Sequence, residues 1–326
     1  MFFFHAIYKR CILVLFLSNF LISCDSTEDI PIKQIDMHDT ISDIELEQLQ
    51  SQQQNQRQQT NIYYFGFDLR SSPQEDAAQY QSFLKYLESA TGYQFKLYFT
   101  PKNSSTVYEM GQNNIHFAAM GAAGYLEAHA QYGAISLARG INNQGKAEYQ
   151  SAIVVKPSST IKKINDIKGR SLAFGNYDST QGHLIPRILL AENGISLDQL
   201  SKYHYTGSHQ NCAEAVVSGH YDVCTMQDQL AKLLASQGQL RIIQYSRFYP
   251  SSGIVANKSV PSEVIVKVKQ ALLDFDPVTK HKQGLYHWNL TEMPRGFIDS
   301  KETDYAFLLE WLLKLGLLAA TQEQVR

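Results

Sequence analysis

Apolar and polar positions follow a repeating rhythm along most of the chain. Short β-rich runs are followed by polar turns, then by stretches with apolar residues at helical spacing. NIYYFGF (61–67) predicts a first strand and DLRSSP (68–73) a polar turn. Residues 75–90 place Ala78, Phe83, Leu84 and Leu87 on one helical face and end at Thr91-Gly92. Further strands are predicted at 95–99, 115–120, 134–139 and 149–156, with helices at 106–112 and 125–131. A second block gives strands at 171–174, 202–205, 221–225, 241–245 and 254–256. Its helices fall at 182–193, 211–218, 227–236 and 262–273, and a strongly apolar helix closes the chain at 304–318. Strands alternating with helices predict an α/β fold of βαβ units with a mostly parallel sheet. The absence of a long internal linker favours two lobes joined by crossing strands over two independent domains.

The N-terminal pattern is different. Lys9 and Arg10 precede CILVLFLSNF (11–20), an apolar run too short to span a bilayer comfortably. Leu21, Ile22, Ser23 and Cys24 follow directly, which is the arrangement of a secretory signal peptide. It resembles the lipobox of bacterial lipoproteins. That resemblance implies removal of residues 1–23 and lipidation of Cys24 as the new N-terminus. Asp25 after Cys24 implies retention at the inner membrane, on the periplasmic side. An uncleaved anchor is the alternative, and both place the remainder outside the cytoplasm. Residues 24–60 end in SQQQNQRQQT and predict a disordered, Gln-rich tether, because such a run has no apolar face to bury.

Composition adds limits. The 326 residues are 44% hydrophobic and 18% charged, with a net charge of −2, so no nucleic-acid partner is expected. Cys212 and Cys224 form a disulfide in an oxidising compartment or remain buried free thiols; the sequence leaves both open.

The chain is organised around GNYDSTQGHLIPRILLAENG (175–194). SLAF (171–174) is a short apolar strand, and Gly175-Asn176 break it. Asp178, Ser179 and Thr180 are residues that cap helix N-termini, and Pro186 falls within a first turn. Gly194 suits the helix end. Free N–H groups, a positive dipole end and two hydroxyls make an oxyanion site; an ordinary capped helix is the alternative. Polar turns also follow strands at 207–210 and 249–253, and ligands in open parallel sheets bind beyond such strand ends. GxSxG, HExxH and GxxxxGK[ST] motifs are all missing from the sequence. His204 and His209 lie close in sequence, yet no carboxylate or Cys completes a metal set. No catalytic residue, metal or cofactor is expected, and an enzyme pairing His209 with Asp222 lacks a nucleophile.

Several ordered motifs resemble the periplasmic binding proteins of phosphonate, phosphate and phosphite ABC transporters, over roughly residues 62–276. LAFGNYDSTQGHLIP resembles the family's strand–turn–helix signature, whose centre is usually Ser-Thr-Ser-Gly. TGSHQNCAEAVVSGHYDV resembles its Gly-x-His, Ala-Val and Gly-x-x-Asp block. INDIKGRSLAF and EYQSAIVV match two further segments. The resemblance implies a type II-like two-lobed fold, with residues 61–150 and 250–326 in one lobe and 151–249 in the other. It implies a monomer that delivers a small oxyanion to an ABC permease. Ser179, Thr180, the N–H groups of Gln181 and Gly182, His209 and Tyr149 take the oxyanion-binding roles.

Gln181 replaces the family's third hydroxyl. Gln229 and Ser252 stand at or near positions where aminophosphonate binders carry acids, which disfavours 2-aminoethylphosphonate and favours phosphate, phosphite or a small alkylphosphonate. Asp228 overturns that preference if the register shifts by one. A sensory ligand-binding lipoprotein is a rival reading, and so is a binding protein for a thiamine precursor or a carboxylate.

Overall fold

The computed structural model of the protein describes residues 62–70 and 72–318. The signal sequence, Cys24 and the Gln-rich tether lie outside the described residues.

The chain opens with β1 (Ile62–Phe67), α1 (Pro73–Thr91), β2 (Gln94–Leu97), α2 (Thr106–Gly111), β3 (Phe117–Met120), α3 (Ala122–Tyr132) and β4 (Ile135–Gly140). A short β5 (Glu148–Tyr149) leads to β6 (Ser151–Val155) and β7 (Ser171–Phe174). A π-type turn, Thr180–Leu184, runs into α4 (Ile185–Glu192). β8 (Lys202–Tyr205), α5 (His209–Val217), β9 (Val223–Gln227), α6 (Asp228–Ser236) and β10 (Arg241–Tyr245) follow. β11 (Tyr249–Pro250) returns to β12 (Gly253–Ala256), α7 (Ser262–Asp274), β13 (Phe297–Asp299) and α8 (Ala306–Lys314).

Two sheets result. One runs β13-β4-β12-β3-β1-β2 and the other β10-β6-β9-β7-β8. Apolar clusters pack on both faces of each, the α/β/α layering of this class. Between them, β5 pairs antiparallel with β11, Tyr149 opposite Tyr249, so both crossing segments meet in one ribbon. One hydrophobic cluster joins Tyr149 and Tyr249 to Ile185 and Ile188 of α4 and Tyr125 of α3, packing the lobes together on this side.

The mostly parallel sheet does not hold. β1, β2 and β3 are parallel, as are β7, β8 and β9. β12 is antiparallel to both β3 and β4, β13 to β4, and β6 to both β9 and β10. The cause is the double crossing: a strand that returns from the other lobe has no crossover helix to turn it parallel. Cys212 of α5 and Cys224 of β9 are bridged, with Cα atoms 5.6 Å apart. That decides between the two states the sequence left open.

Candidate ligand-binding site

The parallel strands of both sheets direct their carboxyl ends toward the gap between lobes. Asp68 and Arg70 follow β1, Gly121 follows β3, Thr180 follows β7, His209 follows β8 and Asp228 follows β9. Each site residue therefore stands where open α/β sheets place ligands.

The N-terminus of α3 is the focus on one side. Its first residue is preceded by Gly121, which supplies no side-chain cap. The orphan N–H groups of a helix start must find partners. Gly121 N–H donates to Asp68 Oδ2 at 2.9 Å. Ala123 N–H donates to Thr180 Oγ1 at 3.1 Å, and Ala122 N–H reaches the Tyr149 hydroxyl at 3.4 Å. Hydroxyls of the opposite lobe and the ribbon thus cap this helix. A Cβ on Gly121 would stand 2.6 Å from Thr180 Oγ1, so the close approach requires glycine.

The opposing helix start is built from 179–184. Ser179 Oγ accepts the Gly182 N–H at 2.9 Å and serves as N-cap. Gly182 packs under His209: a Cβ there would lie 2.9 Å from the ring Cε1 and 3.0 Å from Ser179 Oγ. His209 is buried, and its Nδ1 has no hydrogen-bond partner. Burial, then the nearby Arg70 charge, pushes its pKa down to about 4. The ring is neutral at pH 7 and offers one donor and one acceptor. Burial, with Glu292 next, holds the Tyr149 hydroxyl well above the usual tyrosine range, so it stays a neutral donor.

Charge enters from β1 and from residue 292. Arg70 Nη2 lies 3.2 Å from Glu292 Oε2 and 3.7 Å from Asp68 Oδ2, and donates to Ser252 Oγ at 3.2 Å. Burial works against this guanidinium, but Glu292 and then Asp68 outweigh it and raise its pKa. Arg70 and Glu292 carry no sequence motif that marks them; only the fold brings positions 70, 252 and 292 together.

A small cavity adjoins these donors, lined among others by Tyr149, Gln181, Asp228, Gln229 and Glu292. Gln181 faces it, with one amide N–H already donated to the Gln150 carbonyl at 2.9 Å. Gln229 lines the cavity, while Ser252 is spent on Arg70. Carboxylates are present after all: Asp228, Glu148 and Glu292 all reach the wall. Gln229 and Ser252 disfavour an ammonium-bearing ligand unless Asp228 takes part; Asp228 lines the cavity beside Gln229, and Glu292 joins it from far along the chain. Asp228 and Glu148 are each already paired at the surface, with Lys232 at 2.5 Å and Lys146 at 3.2 Å.

Two lobes on a two-stranded ribbon, with facing helix starts and a small polar cavity, define an extracytoplasmic-type solute-binding protein. The model of the ABC transporter phosphonate periplasmic substrate-binding protein family matches residues 65–305, and the chain belongs to that family. It is 27% identical over 238 residues, 70% of each chain, to the phosphonates-binding periplasmic protein of Escherichia coli K12. It is 26% identical over 208 residues, 59% of this chain and 65% of the other, to the phosphate-import protein of Mycolicibacterium smegmatis. Among solved structures, PhnD1 of Prochlorococcus marinus in complex with methylphosphonate superposes with a TM-score of 0.69 at 20% identity, covering 79% of this chain and 99% of that one. A phosphonate-transporter binding component of Pseudomonas aeruginosa gives 0.67 at 22%, covering 78% and 86%. Among the described residues, no helix is long and apolar enough to cross a membrane.

Proposed function

We propose that the cleft captures a phosphorus oxyanion and that the closed form hands it to an ABC permease. The observation that carries this reading is the meeting of two helix starts from opposite lobes around Thr180. The Thr180 and Tyr149 hydroxyls take the Ala123 and Ala122 N–H groups there, and the buried, neutral His209 packs on Gly182, two residues on from Thr180. Preorganised neutral donors at a dipole end hold an anion without reorganising. Ser179 and Gly182 act through the cap that shapes this point, and Gln181 and Gln229 line the space for the ligand's substituent.

Small phosphonates belong to the proposed ligand class alongside phosphate and phosphite. The Asp228 and Glu148 carboxylates bring 2-aminoethylphosphonate back into this class. The protein binds and does not turn over its ligand. Residues 1–23 direct export, and Cys24 carries the lipid anchor that holds the monomeric protein on the periplasmic face of the inner membrane.

The experiment is calorimetric titration of the protein with phosphate, phosphite, methylphosphonate and 2-aminoethylphosphonate. Saturable one-to-one binding of at least one is expected. No binding of any of the four overturns the ligand class, and mass spectrometry of the membrane-extracted protein without a lipid adduct on Cys24 overturns the anchor.

A further inference from the structure

Arg70 and Glu292 are not needed for the neutral donor set, and their placement asks for another role. Arg70 Nη2 stands beside the same bare face of Gly121 that Thr180 covers. A methyl at that Cβ position would be 2.6 Å from Thr180 Oγ1 and 3.9 Å from Arg70 Nη2. The Arg70 charge is felt at His209 and Tyr149, from the other lobe and the ribbon. Glu292 is its nearest counter-ion at 3.2 Å.

Glu292 is held in place by its neighbours. Trp288 Nε1 donates to the Met293 carbonyl, and Thr291 Oγ1 donates to that of Trp288. Both Glu292 carboxylate oxygens are shut off from water, and neither has a hydrogen-bond partner. Removing a carboxylate from water without hydrogen bonds is costly, and an ion pair of this kind rarely offsets it fully. Glu292 therefore faces Arg70 with its hydrogen-bond acceptors unmet, beside the donors that the ligand would use.

We propose that Arg70 is a direct ligand of the bound phosphorus oxyanion, and that Glu292 is the internal counter-ion which the oxyanion supplants on Arg70. The inference rests on the oxyanion reading above. A charged fork adds what neutral donors lack: preference for a doubly charged oxyanion over a singly charged one of the same shape. It also sets a threshold, since a ligand must compete with a carboxylate already in place.

The test is calorimetric titration of the whole protein at pH 8 with methylphosphonate, which is mostly doubly charged there, and with methanesulfonate, its singly charged isostere. Arg70→Gln should weaken methylphosphonate binding roughly 10- to 100-fold, the size of a lost charge-assisted hydrogen bond, and should lower its preference over methanesulfonate. Glu292→Gln should strengthen methylphosphonate binding by roughly 3- to 10-fold, because the carboxylate that competes for Arg70 is gone. The gain should vanish in the Arg70→Gln/Glu292→Gln double variant. Melting in the absence of ligand checks folding; if Arg70→Gln does not fold, Arg70→Lys keeps the charge without the fork, and Glu292→Gln decides alone.

Unchanged binding by Arg70→Gln overturns the proposal, as does weaker methylphosphonate binding by Glu292→Gln. Loss confined to 2-aminoethylphosphonate in Glu292→Gln also overturns it, making Glu292 the holder of the ligand's ammonium. If the unsubstituted protein binds no phosphorus oxyanion, the reading of the whole site falls with it. If it binds one and the variants match it, only the role of Arg70 and Glu292 falls.

Discussion

Thr180 Oγ1 accepts the backbone N–H of Ala123 at 3.1 Å, joining residues 57 positions apart on opposite lobes. The same hydroxyl is a latch between lobes and, in the function proposed above, a member of the oxyanion site. Thr180→Val keeps the shape and removes the acceptor and donor. It leaves the Ala123 N–H unpaired in the closed form, a loss of about 1–3 kcal/mol. Ligand affinity should fall by roughly 10- to 100-fold while the unliganded melting temperature changes little. Titration and calorimetric melting of the variant check both halves.

Gly121 gives an independent probe of closure. A Cβ there would meet Thr180 Oγ1 of the other lobe at 2.6 Å. Its backbone, φ −68° and ψ 160°, tolerates alanine without strain. Gly121→Ala should therefore fold normally and close poorly. Weaker binding with a larger radius of gyration in the presence of ligand, measured by small-angle X-ray scattering, is the expected outcome.

Acid should destabilise the fold in a defined window. Burial, then Arg70, depresses His209 to about 4; burial, opposed by the hydrogen bond to the Tyr177 carbonyl and aided by the Arg187 charge, does the same to His183. An unfolded histidine titrates near 6.5, so the unfolded chain binds more protons between these values. Stability from these two residues is complete above about pH 6.5 and is lost as pH falls toward 4. Melting temperature followed from pH 8 to pH 4 should drop through this window, and His183→Asn should flatten part of the drop.

Reduction of the Cys212–Cys224 bridge should loosen one lobe. It ties α5 to β9 across 12 positions of sequence, directly behind His209. Loss of a loop of this size costs about 3 kcal/mol. Cys212→Ser/Cys224→Ser should unfold at lower denaturant, and a reducing agent should shift the parent protein in the same direction and leave the variant unmoved.

Much of the site was legible because its chemistry is local. Residues 171–194 carry the strand, the capping residues and the helix in one run, and that run folds as the pattern predicts. Tyr149, Thr180 and His209 each follow or form a strand end, and the first two meet at the start of α3. Where the sequence is silent, long-range geometry decides. Arg70 lies in a turn that reads only as polar. Glu292 lies in a stretch with no periodicity, anchored by Trp288 and Met293. β13 is three residues long and exists only as a partner of β4. The antiparallel placement of β12 follows from the chain's return across the ribbon, which no local pattern records. Asp228 lines the cavity together with Gln227 and Gln229, at the start of α6.

The most direct test is titration of the protein and its Thr180→Val variant with phosphate, phosphite, methylphosphonate and 2-aminoethylphosphonate, with thermal unfolding in parallel. Saturating ligand at about 100 times its Kd should add roughly 2.7 kcal/mol to the stability of the parent protein. The account predicts binding of at least one ligand that Thr180→Val loses by 10-fold or more, roughly 1.4 kcal/mol. Binding that survives unchanged in Thr180→Val, or no binding of any of the four, would contradict it.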